Sequence, residues 1–309
     1  MEKNELNKNA RGGTELMQER LHSSLPADLL EKFQIIPSRV RDLDPDKKKI
    51  LWLHDLPGDP ESEHLKQPES RKRFDKIVCV SDWQMQLYNI MSNVPYSESI
   101  VIKNAIYPIE IEKKRFDGTI NLIYHTTPHR GLEILVPIFE DLAETHKDVH
   151  LDVYSSFSIY GWEQRDQQYQ QVFDRCKQHP QITYHGAVPN EQVREALKKS
   201  HIYAYPSIWP ETSCLSVIEA MSAMNLVVCP NYAALPETCA NFAMMYPWNE
   251  NKLSHGMQFK HTLEHAINTI RINQGRDDSY LDFQKSYFDY FYGWDKRKAE
   301  WEALLRSLI

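Results

Sequence analysis

Glycine is scarce in this chain, at ten of 309 residues. Each glycine beside a turn therefore carries information. No C-x-x-C spacing occurs. The five cysteines (Cys79, Cys176, Cys214, Cys229 and Cys239) are odd in number and lack metal-site spacing. That pattern reads as reduced, buried thiols in a cytoplasmic protein rather than a disulfide framework or zinc site. Positive charge is not in excess: 36 Lys and Arg stand against 43 Asp and Glu, a net charge of −7. A nucleic-acid binder is thereby disfavoured. No apolar run approaches the ~18 residues that span a bilayer. Residues 1–10 are polar and lack a signal-peptide core. No membrane span is expected, although peripheral membrane contact stays compatible. The chain has no repeat, no low-complexity tract and no full G-x-G-x-x-G. It also has no Asp-x-Asp pair flanked by hydrophobics, and the run Asp42 to Asp46 reads as a charged turn.

What is present is an alternation of short apolar runs with amphipathic segments, which predicts parallel sheets with helical crossovers. Thr14 to about Leu30 reads as one helix, from Leu16, Met17, Leu21 and Leu25. Strands are expected at 33–37, 50–53, 74–80 and 100–102, with Ser81 capping the helix after the third. A proline- and charge-rich stretch at 107–118 marks a domain boundary. Beyond it, strands are expected near 120–124, 149–154, 182–185, 202–205, 226–229 and 243–246. Helices are expected at 132–146, 166–178 and 191–199, and the tail is helical with Trp294, Trp301, Leu304 and Leu305 on one stripe.

The most informative block is Tyr205-Pro206-Ser207-Ile208-Trp209-Pro210-Glu211-Thr212-Ser213-Cys214-Leu215 and the helix after it, which carries Glu219. Pro206 and Pro210 end the strand, and Thr212 and Ser213 are good N-cap residues. Glu211 is thus placed at the carboxyl end of a strand, where open α/β sheets bind ligands. The helix start offers N–H groups to an anion. Eight residues along a helix span roughly 12 Å, which suits a nucleotide sugar with a carboxylate at each end. The bland alternative is a strand-to-helix turn with one capping and one solvated glutamate.

This block resembles the Glu-x7-Glu signature of retaining GT-B glycosyltransferases of family 4, also called glycosyl transferases group 1. The following Ala233-Ala234-Leu235-Pro236-Glu237 resembles that family as well. The resemblance implies a GT-B fold: two facing Rossmann-like α/β domains with parallel sheets and a last helix that crosses back. It implies an N-terminal acceptor-side domain at 1–115, a nucleotide-sugar-binding domain at 116–290 and a crossover helix at 291–309. It implies that Glu211 contacts the transferred sugar and Glu219 the ribose. Amides of Thr212, Ser213, Cys214 and Leu215 would receive phosphate and sugar oxygens.

Other constellations fit the same reading. Gly12-Gly13 before the first helix lets backbone approach a ligand, or is a plain turn. It resembles the family's glycine loop near the donor phosphate, but few residues precede it, so the usual first strand is expected to be short or missing. His54 ends an apolar strand, where it could bond a sugar hydroxyl, handle a proton or be structural; Asp55 could orient it. Tyr124 to Leu132 resembles the family's first C-domain loop. Arg130-Gly131 stands for its Lys-Gly, and His125-Thr126 stands where an arginine is usual. A cation at a helix start is unfavourable unless an anion is present, so Arg130 is expected to clamp the diphosphate rather than lie idle at the surface. Gly186 and Val188 resemble the segment bordering the base, and Ser155 ends a strand where a hydroxyl could meet phosphate or merely cap. Trp83, Tyr88, Trp162 and Tyr169 read as core or rim.

The expected function is transfer of a sugar, with retention, from a nucleoside-diphosphate sugar to an acceptor hydroxyl on a glycan, lipid or protein. Glu211, His54 and Arg130 are the catalytic candidates. No cofactor and no metal are expected, the nucleotide sugar being a co-substrate. A GT-B epimerase or hydrolase of sugar nucleotides is the nearest alternative. A non-catalytic sugar-nucleotide or glycan-binding module is the alternative of a different class.

Overall fold

A computed structural model describes residues 12–273 and 279–309. Residues before Gly12, where a shortened first strand was expected, lie outside the described residues. The first sheet contains β1 (Phe33–Pro37), β2 (Lys48–Leu53), β3 (Lys76–Cys79) and β4 (Ser99–Val101), in that spatial order and all parallel. Ile50, Leu51, Trp52 and Leu53 are all buried. A continuous apolar run is what a strand covered on both faces requires.

The second sheet is six-stranded. Its strands are β5 (Ile120–Tyr124), β6 (Val149–Val153), β7 (Ile182–Tyr184), β8 (Ile202–Ala204), β9 (Leu226–Pro230) and β10 (Met244–Tyr246). Their spatial order is β10-β9-β8-β5-β6-β7, again all parallel. The chain builds outward from β5 through β6 and β7, then returns to place β8 on the other side of β5. Ile123 lies opposite Tyr203 across that seam. The reversal leaves a crevice beyond the carboxyl ends of β5 and β8.

The chain crosses between the sheets twice, and the two crossings touch. Ile106 N–H donates to the Tyr292 carbonyl at 2.8 Å. The helix Trp294–Ser307 then packs on the first sheet, placing Trp301, Leu304 and Leu305 in one apolar cluster with Ile35, Ile50, Trp52 and Val78. This is the two-sheet α/β architecture of the GT-B fold. All five cysteines are free and buried. Among the described residues, no helix is long and apolar enough to cross a membrane.

Three sequence expectations need correction. The helix expected over 14–30 is two helices, Gly13–Ser24 and Ala27–Leu30. Pro26 forces the residue before it out of helical geometry, and Leu25 is extended at φ −85° and ψ 147°. The helix expected over 166–178 is α-helical only over Gln170–Gln178, preceded by a 3-10 turn at Glu163–Tyr169. The strand expected over 74–80 is confined to β3, because Phe74 and Asp75 belong to the turn that enters it.

Trp301 is 1% exposed and sits edge-on to Trp52 with ring centroids 5.1 Å apart. Trp301→Ala is expected to cost about 3–5 kcal/mol in chemical unfolding. A loss below about 1 kcal/mol would show that the first domain does not depend on the returning helix.

Candidate functional site

The switch-point crevice is lined by the loops after β5 and β8. The first carries Arg130 in a 3-10 turn, Pro128–Arg130, and the second carries Glu211. Their side chains form an ion pair, and the Tyr205 hydroxyl donates to the same Glu211 oxygen. Glu211 is 4% exposed. The anion needed to make Arg130 comfortable is therefore supplied first by the protein itself. Burial works against the Arg130 charge, but the Glu211 carboxylate together with Tyr160, Tyr205 and Cys214 outweighs it and raises the guanidinium pKa. Arg130 Nε is buried without a hydrogen-bond partner, so one donor of the fork remains unused. Gly131 has φ +137°, and a Cβ there would meet the Pro206 carbonyl oxygen at 2.3 Å. Only glycine lets the two loops approach this closely.

The helix after Glu211 runs Leu215–Ser222, later than the Thr212 and Ser213 caps imply. Cys214 is its N-cap residue, and no side chain closes its first turn. Its leading N–H groups lack intrahelical acceptors. Thr212 instead reaches across the cleft, its hydroxyl donating to the His54 carbonyl at 2.9 Å. Leu215 touches the apolar clusters of both domains. Gly13 faces it, with a hypothetical Cβ 3.1 Å from Leu215 Cδ1. Gly12 faces the Tyr160 ring, where a Cβ would meet Cε1 at 2.2 Å. Gly12, Gly13, His54, Arg130, Glu211 and residues 212–215 thus border one interdomain cleft.

His54 leans on Trp52 with centroids 4.5 Å apart, and its Nε2 is buried with no partner. Burial pushes its pKa down to about 3. The ring is neutral near pH 7 and suited to hydrogen bonding more than to proton abstraction. Burial raises the Asp55 carboxyl pKa, with the Ser38 hydroxyl opposing it, and Ser38 Oγ accepts from the His54 backbone N–H at 2.8 Å. His125 is also driven down to about 3 by burial, packs on Tyr203 at 4.6 Å, and has an unpartnered Nε2. It supplies no positive charge in place of the arginine usual there.

Glu219 is 4% exposed and engaged by three protein partners. Arg194 donates to Oε1 at 3.3 Å, Asn190 donates to Oε2 at 3.1 Å, and Arg20 stands 4.0 Å from Oε1. Arg20 belongs to the first domain, so Glu219 also faces the cleft. Arg194 is held by the carbonyls of Tyr107 and Pro108 at the domain crossing.

Ser155, Gly186 and Val188 follow β6 and β7 on the same sheet edge. Ser155 Oγ is buried without a partner, while its carbonyl accepts from the Tyr184 hydroxyl at 2.8 Å. Gly186 has φ +67°, and a Cβ there would have nothing within 4 Å. His185 stacks on Tyr154 at 4.1 Å. Among the described residues, no three His, Cys, Asp or Glu side chains gather to hold a metal.

Two cleft residues escape sequence reasoning. Glu237 accepts from the Asp82 and Trp83 N–H groups at 2.9 Å and pairs with Lys103, so it caps a first-domain helix from the second domain. Its only sequence signal is its place in the Leu235-Pro236-Glu237 run. Tyr160 carries no motif, and a turn ending at Gly161 is its one local cue.

Residues 112–254 match the family described as Glycosyl transferases group 1. No curated protein matches the sequence. Among solved structures, the chain is similar to a glycosyltransferase from Rickettsia africae ESF-5, with TM-score 0.67 and 15% identity over 98% of this chain and 84% of that one. It is similar to the pneumococcal O-GlcNAc transferase GtfA, solved with UDP and GlcNAc, with TM-score 0.64 and 9% identity over 85% of this chain and 53% of that one. It is similar to Anabaena Alr3699/HepE, solved with UDP-glucose, with TM-score 0.60 and 14% identity over 84% of this chain and 72% of that one. The chain spans about half the length of GtfA and of TarM. At such identities these likenesses establish the GT-B fold. The matched domain marks the chain as an enzyme of the glycosyltransferase type.

The buried neutral histidines make a pH prediction. A ring whose pKa is about 3 when folded and about 6.5 when unfolded binds more protons unfolded between those values. Stability is therefore lost as pH falls from 6.5 toward 3. His125→Phe should flatten the fall in urea-unfolding free energy between pH 6.5 and 4.5. Parallel curves for the two proteins would mean that His125 protonates freely when folded.

Proposed function

We propose that the chain transfers a sugar, with retention at its anomeric carbon, from a nucleoside-diphosphate sugar to an acceptor hydroxyl, in the manner of family 4. The observation that carries this reading is the convergence of Arg130, Glu211 and an uncapped helix start at a sheet switch point, opposite Gly12-Gly13. A cationic fork with a spare donor and a set of outward N–H groups suit a diphosphate. The UDP and UDP-glucose complexes of the neighbours make a uridine donor the first to test.

In this scheme the donor lies on the second domain, with its ribose on Glu219 and its transferred sugar on Glu211. Ser155 and the backbone around Gly186 and Val188 border the nucleotide. Arg130 and the amides of Thr212 to Leu215 take the diphosphate. The acceptor enters from the first domain beside His54, whose neutral ring bonds a hydroxyl. Attack comes on the face the diphosphate leaves. The leaving phosphate oxygen takes the acceptor proton, so no side-chain nucleophile or base is required. The rate derives from positioning and from stabilising the departing negative charge. Arg130 and the helix amides serve where other transferases use a divalent metal. The cytoplasm, with its reduced thiols, is the compartment that suits five unpaired cysteines.

The direct test is incubation with UDP-glucose, UDP-N-acetylglucosamine, GDP-mannose or ADP-glucose and a mixed acceptor set in EDTA. The product is then read by proton NMR at the anomeric carbon. Transfer with retained configuration is expected. Inversion, or activity abolished by EDTA and restored by manganese, would contradict the scheme.

The two glutamates should separate. Glu219→Ala is expected to lose about 1.5–3 kcal/mol of nucleoside-diphosphate binding in calorimetry. Glu211→Gln should lower turnover while leaving that binding nearly intact. Equal weakening by both would refute the division of labour. Arg130→Met should cut turnover by about 10²–10³, and Arg130→Lys should be partly active because it loses the two-pronged geometry. Removing Arg130 leaves Glu211 buried and unpaired, at about 3–5 kcal/mol, so Arg130→Met/Glu211→Gln is the folded control. Wild-type turnover in that double variant would place the diphosphate elsewhere.

A further inference from the structure

The 3-10 turn Phe157–Tyr160 puts one phenol at the centre of the cleft. The Tyr160 ring lies against Gly12 of the first domain, and its hydroxyl is close enough to the Arg130 guanidinium of the second to interact with it electrostatically. A guanidinium can only donate. Toward Arg130 the phenol oxygen can only accept, so its own O–H is left to donate elsewhere. The turn that carries it is well anchored. Ser156 Oγ accepts from Ser158 N–H at 2.9 Å, and Asp166 Oδ1 accepts from Phe157 N–H at 2.8 Å. Gly161 closes the turn in left-handed geometry at φ +70°. Trp162 packs on the Tyr160 ring with centroids 5.2 Å apart.

The cleft also has a shortage that this phenol would meet. Where the resembling family usually has a second cation, this chain has His125, held neutral by burial. Arg130 is then the permanent cation of its loop, and it is shared with Glu211. A leaving diphosphate gains negative charge as its bond to the sugar breaks, and a positioned neutral donor can take part of that load.

We propose that Tyr160 is a catalytic residue of this site, donating its O–H hydrogen bond to the leaving diphosphate beside Arg130. The inference rests on the donor placement given under Proposed function. The carbon–oxygen bond to phosphate breaks and the electron pair stays on the phosphate oxygen. The phenolic proton remains on Tyr160 throughout, its hydrogen bond tightening as charge develops. Burial pushes the phenol pKa up, and the nearby Arg130 only partly opposes this, so the proton is retained at neutral pH. Gly12 is accounted for by the same arrangement, because any side chain there would displace the ring.

Tyr160→Phe keeps the ring against Gly12 and removes only the hydroxyl. Release of nucleoside diphosphate from UDP-glucose, UDP-N-acetylglucosamine, GDP-mannose and ADP-glucose reads turnover, and calorimetry with UDP, GDP and ADP reads binding. The Phe variant is expected to lose about 10²-fold in kcat, with a much smaller change in diphosphate affinity. Wild-type kcat in Tyr160→Phe would overturn the proposal. So would a Tyr160→Ala variant that binds the diphosphate more tightly and turns over faster than Tyr160→Phe, since the ring would then merely fill the cleft. A wild-type protein that binds none of the three diphosphates and releases none from the four donors would instead overturn the donor placement, and the role of Tyr160 with it.

Discussion

The ion pair between Arg130 and Glu211 is the contact on which the cleft depends. It joins two loops that are 81 residues apart in sequence and adjacent only because β8 returns to the free side of β5. A carboxylate as buried as Glu211 is costly without a cation and hydrogen bonds around it. Arg130 and Tyr205 provide both. Gly131 lets the loops come within reach, and the pair holds them there. The helix start at Cys214 and the free edge of Arg130 then face the same space.

Cross-cleft contacts bring the first domain to that space. Thr212 bonds the strand end at His54, and Glu237 caps the helix Asp82–Ser92. Arg20 donates to Asn190 at 3.1 Å and stands beside Glu219. Each contact joins a polar group of one domain to the ligand edge of the other. Glu219 is the most heavily engaged, and through Arg194 it is tied to the carbonyls of the chain crossing. Ribose hydroxyls reaching Glu219 would have to share it with Arg194, Asn190 and Arg20. Under the proposed donor placement, ribose binding and the contacts between the domains would meet at one carboxylate.

Much of this was legible in the sequence for simple reasons. A parallel strand buried on both faces must be apolar throughout, so β2 and β9 stand out as runs. Prolines at 206 and 210 and the eight-residue interval between Glu211 and Glu219 mark a strand end and a helix without any tertiary knowledge. Pro26 could have signalled the break in the first helix, but the apolar spacing across it masked the signal. What stayed hidden depends on partners distant in sequence. Thr212 looks like a cap until His54 is beside it. Glu237 looks like the first-turn acid of its own short helix, yet it caps a helix of the other domain. Arg130 was expected to need an anion at a helix start, and that the anion beside it is Glu211 follows only from the strand order. Tyr160 lies in a mixed stretch, Ser155 to Trp162, that matches neither helical nor strand periodicity, and what singles it out is its two neighbours, Gly12 and Arg130, on different domains.

A crystal structure of the protein with bound UDP would test the central claim most directly. The diphosphate is expected within about 3 Å of Arg130 and of the amides that open the helix at Leu215, with the ribose against Glu219. A diphosphate bound away from the β5–β8 crevice, with Arg130 and Glu211 untouched, would contradict it.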